Sequence, residues 1–121
     1  MTRRLAPLLA VAVAAACAYG YQARGRIDGG ELLVGNVRHD LAGGGHFFLR
    51  GASGLACDGV AEAPTTPGRD GRCSGEGGRG TLRCSDGRVF SFDWQATSCR
   101  SFTGSGRDGE GRAVEFAVRH Q

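Results

Sequence analysis

The sequence predicts a small all-β domain, an antiparallel meander of about seven short strands that curls into a sheet, a barrel-like form or a sandwich. Three observations carry this. Glycine fills 22 of 121 positions, and glycine is costly in helix interiors. Aromatic and branched residues form short runs in which apolar and polar side chains alternate, the period of a half-buried strand. Gly/Asp turn signals separate those runs at short intervals. The length suits one domain.

The strands are expected near Glu31–Arg38, Gly45–Gly51, Leu55–Ala61, Arg79–Ser85, Val89–Ala96, Phe102–Arg107 and Arg112–Arg119. Alternation is clearest late in the chain. Phe90, Phe92 and Trp94 share one face of their strand, and Val114, Phe116 and Val118 share one face of theirs. Leu33, Phe47, Leu49, Leu55 and Leu82 complete the expected core. Asp86-Gly87 reads as a two-residue hairpin turn, which needs positive φ at both centres. Asp108-Gly109 with Gly111 turns the chain into the last strand, and Ala42-Gly43-Gly44-Gly45 turns the first into the second. Connections this short make sequential strands neighbours. Residues 62–78, with Pro64 and Pro67, form the one long loop and cannot hold themselves rigid. Asp-Gly-Arg occurs at 70–72 and at 86–88, but the flanks differ, so this is reused turn chemistry and not a repeat. Gly35 and Gly106 inside strands mark tight bending of a small sheet.

Residues 1–16 have the layout of a signal segment. Arg3 and Arg4 precede an apolar run of a dozen residues from Leu5 to Ala16, too short to span a bilayer comfortably. Small residues then lead to Cys17, which resembles a bacterial lipobox, although Ala14 stands where that motif usually carries Leu. The resemblance implies that Cys17 is lipidated and becomes the new N-terminus. Cleavage after Ala16 as an ordinary signal, or retention as an uncleaved anchor, are the alternatives. All three send the domain out of the cytoplasm, because Arg3 and Arg4 stay inside. Ala18 lacks the Asp that, by resemblance to bacterial lipoproteins, favours inner-membrane retention, so the outer membrane is expected. Residues 17–29 are read as lipidated N-terminus and tether, and 30–121 as the single domain.

Five cysteines are an odd number for an exported chain. Assigning Cys17 to lipid leaves Cys57, Cys73, Cys84 and Cys99, which read as two disulfides in an oxidising compartment. A four-cysteine zinc site wants closely spaced pairs; the separations here are 16, 11 and 15 positions, with no C-x-x-C. Of three possible pairings, Cys57 with Cys84 is favoured. Each lies two residues beyond a core leucine, Leu55 or Leu82, on the same face of its strand. Cys73 would then join Cys99 and pin the long loop to the segment after Trp94.

Gly35, Gly43-Gly44-Gly45 before Phe47 and Leu49, Cys57-Asp58-Gly59, the run Gly78 to Arg88 and Gly104-Ser105-Gly106 before Phe116 together resemble a group of small exported envelope proteins of Gram-negative bacteria. Its members share a strand Cys, a second Cys before an Asp-Gly-Arg turn and a late Gly-x-Gly strand. The resemblance covers residues 30–118 and implies a fold and an address, but no activity. Cys73 and Cys99 are additions to that pattern, which supports pairing them with each other.

The formal charge is +3, and the basic residues are all arginine. They interleave with acids, as in Arg69-Asp70-Gly71-Arg72. Nucleic acid is therefore not an expected partner, since phosphate binding wants a clustered positive surface. Without lysine there is no P-loop. Ser53, in Gly51-Ala52-Ser53-Gly54, falls short of a nucleophile elbow and reads as a turn serine. His39 and His46 flank the first hairpin and, with Asp40, would make at most a weak metal site. No metal, cofactor or catalytic residue is assigned. The expected role is a non-catalytic binding or structural one, with the membrane as partner through the lipid. An envelope protein or polysaccharide is a possible second partner. A lysozyme-inhibitor-like or carbohydrate-binding module is the alternative, with a small hydrolase behind it. Residues 62–78 with Trp94, and His39 and His46, are the candidate contacts.

Overall fold

The computed structural model describes residues 21–39, 45–69 and 72–120; the side chains of Tyr21, Arg38, His39 and His120 are outside that description. The expected signal segment, Cys17, Asp40 and the expected turn at Ala42-Gly43-Gly44 therefore lie outside the described residues. Eight antiparallel strands follow one another around a closed barrel: β1 (Tyr21–Ile27), β2 (Leu33–His39), β3 (Gly45–Arg50), β4 (Ala56–Ala61), β5 (Gly77–Cys84), β6 (Val89–Ser98), β7 (Ser101–Asp108) and β8 (Ala113–His120).

The seven expected strands are β2 to β8. The eighth corrects the tether, because residues 21–27 form β1. This strand pairs with β8 from Tyr21↔His120 to Ile27↔Val114, and with β2 from Gln22↔Asn36 to Gly25↔Leu33. It closes the barrel and so removes both free sheet edges. The segment is rich in Gly and Arg, which masks its strand pattern. Ala23, Gly25 and Ile27 nevertheless face inward and are buried, while Arg24 and Arg26 point out.

The core is the barrel interior, filled by one inward residue set from every strand. Leu33, Leu49, Leu82, Phe90, Val114 and Val118 are almost fully buried. Leu55 is only partly buried against them. At the centre, Phe116 lies 4.8 Å from Phe47 and 4.9 Å from Phe92, ring centre to ring centre. Each of these rings covers an inward glycine directly opposite on a neighbouring strand: Phe47 over Gly59, Phe92 over Gly80, Phe116 over Gly104. A side chain at those glycines would occupy the ring's place. Alternating large and absent side chains lets eight strands curl tightly around a filled interior.

The two barrel ends differ. One carries tight turns. Asp28-Gly29 has both centres at positive φ, 50° and 68°, with Gly30 N–H donating to the Ile27 carbonyl at 2.8 Å. This is the two-residue Asp-Gly turn. At Asp86-Gly87 only Gly87 is left-handed, and Gly87 N–H donates to Cys84 O, so the expected two-residue turn is a longer one. The Arg88 guanidinium, 2.6 Å from the Asp86 carboxylate, holds that carboxyl below its ordinary range. A carboxyl whose folded pKa is depressed stabilises the fold above its unfolded pKa, about 3.9, and loses that contribution as pH falls through the folded value. Thermal unfolding followed below about pH 4 should therefore show a smaller acid-induced loss in Asp86→Asn than in the parent.

The other end carries the long loop and the second disulfide. Cys57 pairs with Cys84, as the strand faces predict, and Cys73 with Cys99, the two that this pairing leaves. Cys57 and Cys84 are register partners across β4 and β5, both buried. Replacing both with alanine should lower stability by about 3–4 kcal/mol on the loop-entropy account; denaturant unfolding reads this directly.

Candidate functional site

The long loop is held at several points. Glu62 N–H donates to Arg79 O at 2.8 Å, Thr66 bridges to Gly77, and Gly75 N–H donates to Ala96 O at 3.0 Å. The Cys73–Cys99 bond ties its far side to the β6–β7 turn. Trp94 is buried, 9% exposed, and its indole N–H donates to Glu62 O at 3.2 Å. Trp94 thus anchors the base of the loop from inside and does not present its ring to solvent.

The pinned loop raises one bank of an open groove of about 930 Å³ on the outside of the barrel. The groove crosses β5, β6, β7, β8 and β1. Outward residues in register form its rows. One runs Arg79–Asp93–Ser105–Glu115–Arg26, and the next runs Gln95–Thr103–Ala117–Arg24. Thr103, Ser105 and Ala117 are small, so the middle is low. Arg24, Arg26 and Leu32 form the second bank.

The charges in this row are loosely held. Arg79 and Asp93 approach only to 3.9 Å, with both side chains more than four-fifths exposed. Arg26 donates to the Gly30 carbonyl at 2.7 Å. Among the described residues no ion pair engages Arg24, Arg26 or Glu115. At the tight-turn end, by contrast, Arg112 pairs with both Asp108 and Glu110.

His39 and His120 are placed by register alone, and the His46 side chain is exposed. His46 stands opposite Arg38 and His39 opposite Gly45, so His39 and His46 lie one step apart in the β2–β3 ladder and are not direct register partners. Ser53 donates its hydroxyl to the Glu31 carboxylate, and its N–H lies 3.2 Å from the other oxygen. It braces the β3–β4 turn, as a turn serine does. At Gly35 and Gly106 the adjoining strand comes so close that a Cβ on either would strike its backbone.

The fold is a closed antiparallel β-barrel. A redesigned β-barrel of known structure is similar over 89% of this chain and 95% of its own, with a TM-score of 0.54 and 12% identity. That likeness concerns the fold alone. No protein-family model and no curated protein matches the chain.

The loop bank of the groove, with Thr65, Thr66, Gly75 and Gly77, belongs to the sequence candidate 62–78, and Trp94 also lines it. The charged row across the strands was not among the sequence candidates. That row joins residues from five strands up to 89 positions apart, Arg26 and Glu115 being the farthest neighbours in register. Only the barrel's closure brings them together, and the sequence reading lacked the closing strand.

Proposed function

We propose that the chain is a lipid-anchored protein of the bacterial cell envelope with a non-catalytic binding or structural role. The supporting observation is the cysteine pairing. Cys57–Cys84 and Cys73–Cys99 account for four of the five cysteines. Two disulfides in a small domain fit an oxidising space outside the cytoplasm, and the remaining thiol is Cys17, at the end of the apolar leader. Lipidation gives that odd cysteine a use. The signal reading also moves β1 close to the anchor, since only residues 18–20 separate Cys17 from Tyr21. The mature protein isolated from membranes should lack residues 1–16 and carry acyl chains on Cys17, as read by intact mass. A mass that starts at Cys17 without acyl chains would make it a soluble envelope protein instead.

A second reading follows from the pinned loop. A rigid, exposed, disulfide-tied loop beside a groove suits recognition of a polysaccharide or an envelope protein, including inhibition of lysozyme. Retention on peptidoglycan, or inhibition of lysozyme that is lost in Cys73→Ala/Cys99→Ala, would support it. Neither effect in the parent protein would remove it.

A further inference from the structure

The strand that closes the barrel is also the strand that leads to the anchor. Taking Cys17 as lipidated, as proposed above, residues 18–20 form the whole link to the barrel. From Cys17 to Tyr21 that link spans at most about 14 Å fully extended. Arg24 and Arg26 follow on the outer face of β1, three and five positions further on. The β1 bank of the groove is therefore the part of the outer wall tied closest to the bilayer.

The chemistry of that bank is specific. Arg26 and Glu115 are direct register partners on β1 and β8, and Ala117 beside them leaves room next to Arg24. Adjacent strands are about 4.8 Å apart, so a positive and a negative side chain stand side by side at that spacing. Both are exposed and no ion pair joins them; the Arg26 guanidinium spends one N–H on the Gly30 carbonyl and keeps the others for a ligand. Asp93 and Arg79 continue the row two and three strands beyond β8. A ligand with a negative and a positive group a short distance apart would satisfy the pair. A phosphoethanolamine headgroup has this form, with its phosphate and ammonium joined by two methylenes. The guanidinium suits phosphate oxygens, and the carboxylate accepts the ammonium N–H groups.

We propose that the outer groove is a headgroup site for the membrane to which the protein is anchored, with Arg24 and Arg26 taking the phosphate and Glu115 the ammonium of a phosphoethanolamine lipid. The barrel then lies with its β8–β1 side toward the bilayer and its β4 side away from it.

Carboxylate footprinting of the membrane-extracted lipoprotein tests this. The protein is placed in phosphatidylethanolamine/phosphatidylglycerol vesicles, in phosphatidylcholine/phosphatidylglycerol vesicles, and in detergent micelles, and labelled with a carbodiimide and an amine. Glu115 should label several-fold less in the ethanolamine vesicles than in micelles. Asp58, exposed on β4 four strands away around the barrel, should label equally in all three. Arg24→Gln/Arg26→Gln should abolish the protection of Glu115. It removes the exposed Arg26–Gly30 contact, a surface change that keeps the fold, as an unchanged circular dichroism spectrum would report. Equal labelling of Glu115 in vesicles and micelles would overturn the site. So would equal protection in choline vesicles, protection at Asp58 instead, or protection conferred only by peptidoglycan. Intact mass on the same sample reports the acyl chains, so a failure of anchoring is distinguished from a failure of the site.

Discussion

Phe116→Ala should cost about 3–5 kcal/mol, the range for removing a buried phenylalanine. Against a total of about 5–15 kcal/mol for a domain, that is a large share of the stability. Phe116 is 4% exposed and meets Phe47, Phe92 and Phe102 edge-on or tilted, at 4.8, 4.9 and 6.5 Å between ring centres. It also covers Gly104, so its loss exposes an interior face of β7 that has no side chain of its own. Neighbouring rings cannot fill the space, because Phe47 and Phe92 are already committed to Gly59 and Gly80. Urea unfolding should show a midpoint shift at nearly unchanged slope. Phe116→Leu should recover a good part of the loss by restoring apolar volume.

Gly35→Ala should be the most damaging small change, at about 3 kcal/mol, the upper part of the overpacking range. A Cβ there would fall on the Phe48 carbonyl, with the carbonyl carbon at 2.6 Å and Leu49 Cα at 3.1 Å. Those are backbone atoms of the adjoining strand, and no rotamer change relieves the clash. β2 and β3 would have to part where they are paired through Gly35↔Leu49. Gly109→Ala is the matched control. Nothing lies within 4 Å of a Cβ at that exposed turn position, so it should change stability by no more than about 0.5 kcal/mol.

Most of the fold was readable because the domain is built on one rule, a period of two. Phe90, Phe92 and Trp94, and likewise Val114, Phe116 and Val118, alternate with polar residues and all six are buried. The disulfide between Cys57 and Cys84 followed from the same rule. Where the inward side chain is glycine, the rule loses its signal. In β1 the inward set is Ala23, Gly25 and Ile27, and only Ile27 looks like a core residue by type. The Asp28-Gly29 turn that follows was a clear hairpin marker, and it stood unused because the strand before it resembled linker. The charged row of the groove was hidden for a related reason. It is defined by strand register around a closed ring, which no local pattern encodes. Trp94 was ambiguous in sequence between a surface ring and a core ring. Its alternation with Phe92 already favoured the inside, and the bond to Glu62 O gives its polar atom a partner there.

Closure through β1 underlies the stability of the domain and, on the proposed lipidation of Cys17, the short reach to the anchor. Inter-strand nuclear Overhauser effects in the isotopically labelled protein measure it directly. Cross-peaks should link backbone protons of residues 21–27 to those of 114–120 in antiparallel register, Gly25 facing Phe116 and Ala23 facing Val118. Cross-peaks from β8 to β7 alone, with the amides of residues 21–27 exchanging at the rate of a free chain, would contradict it.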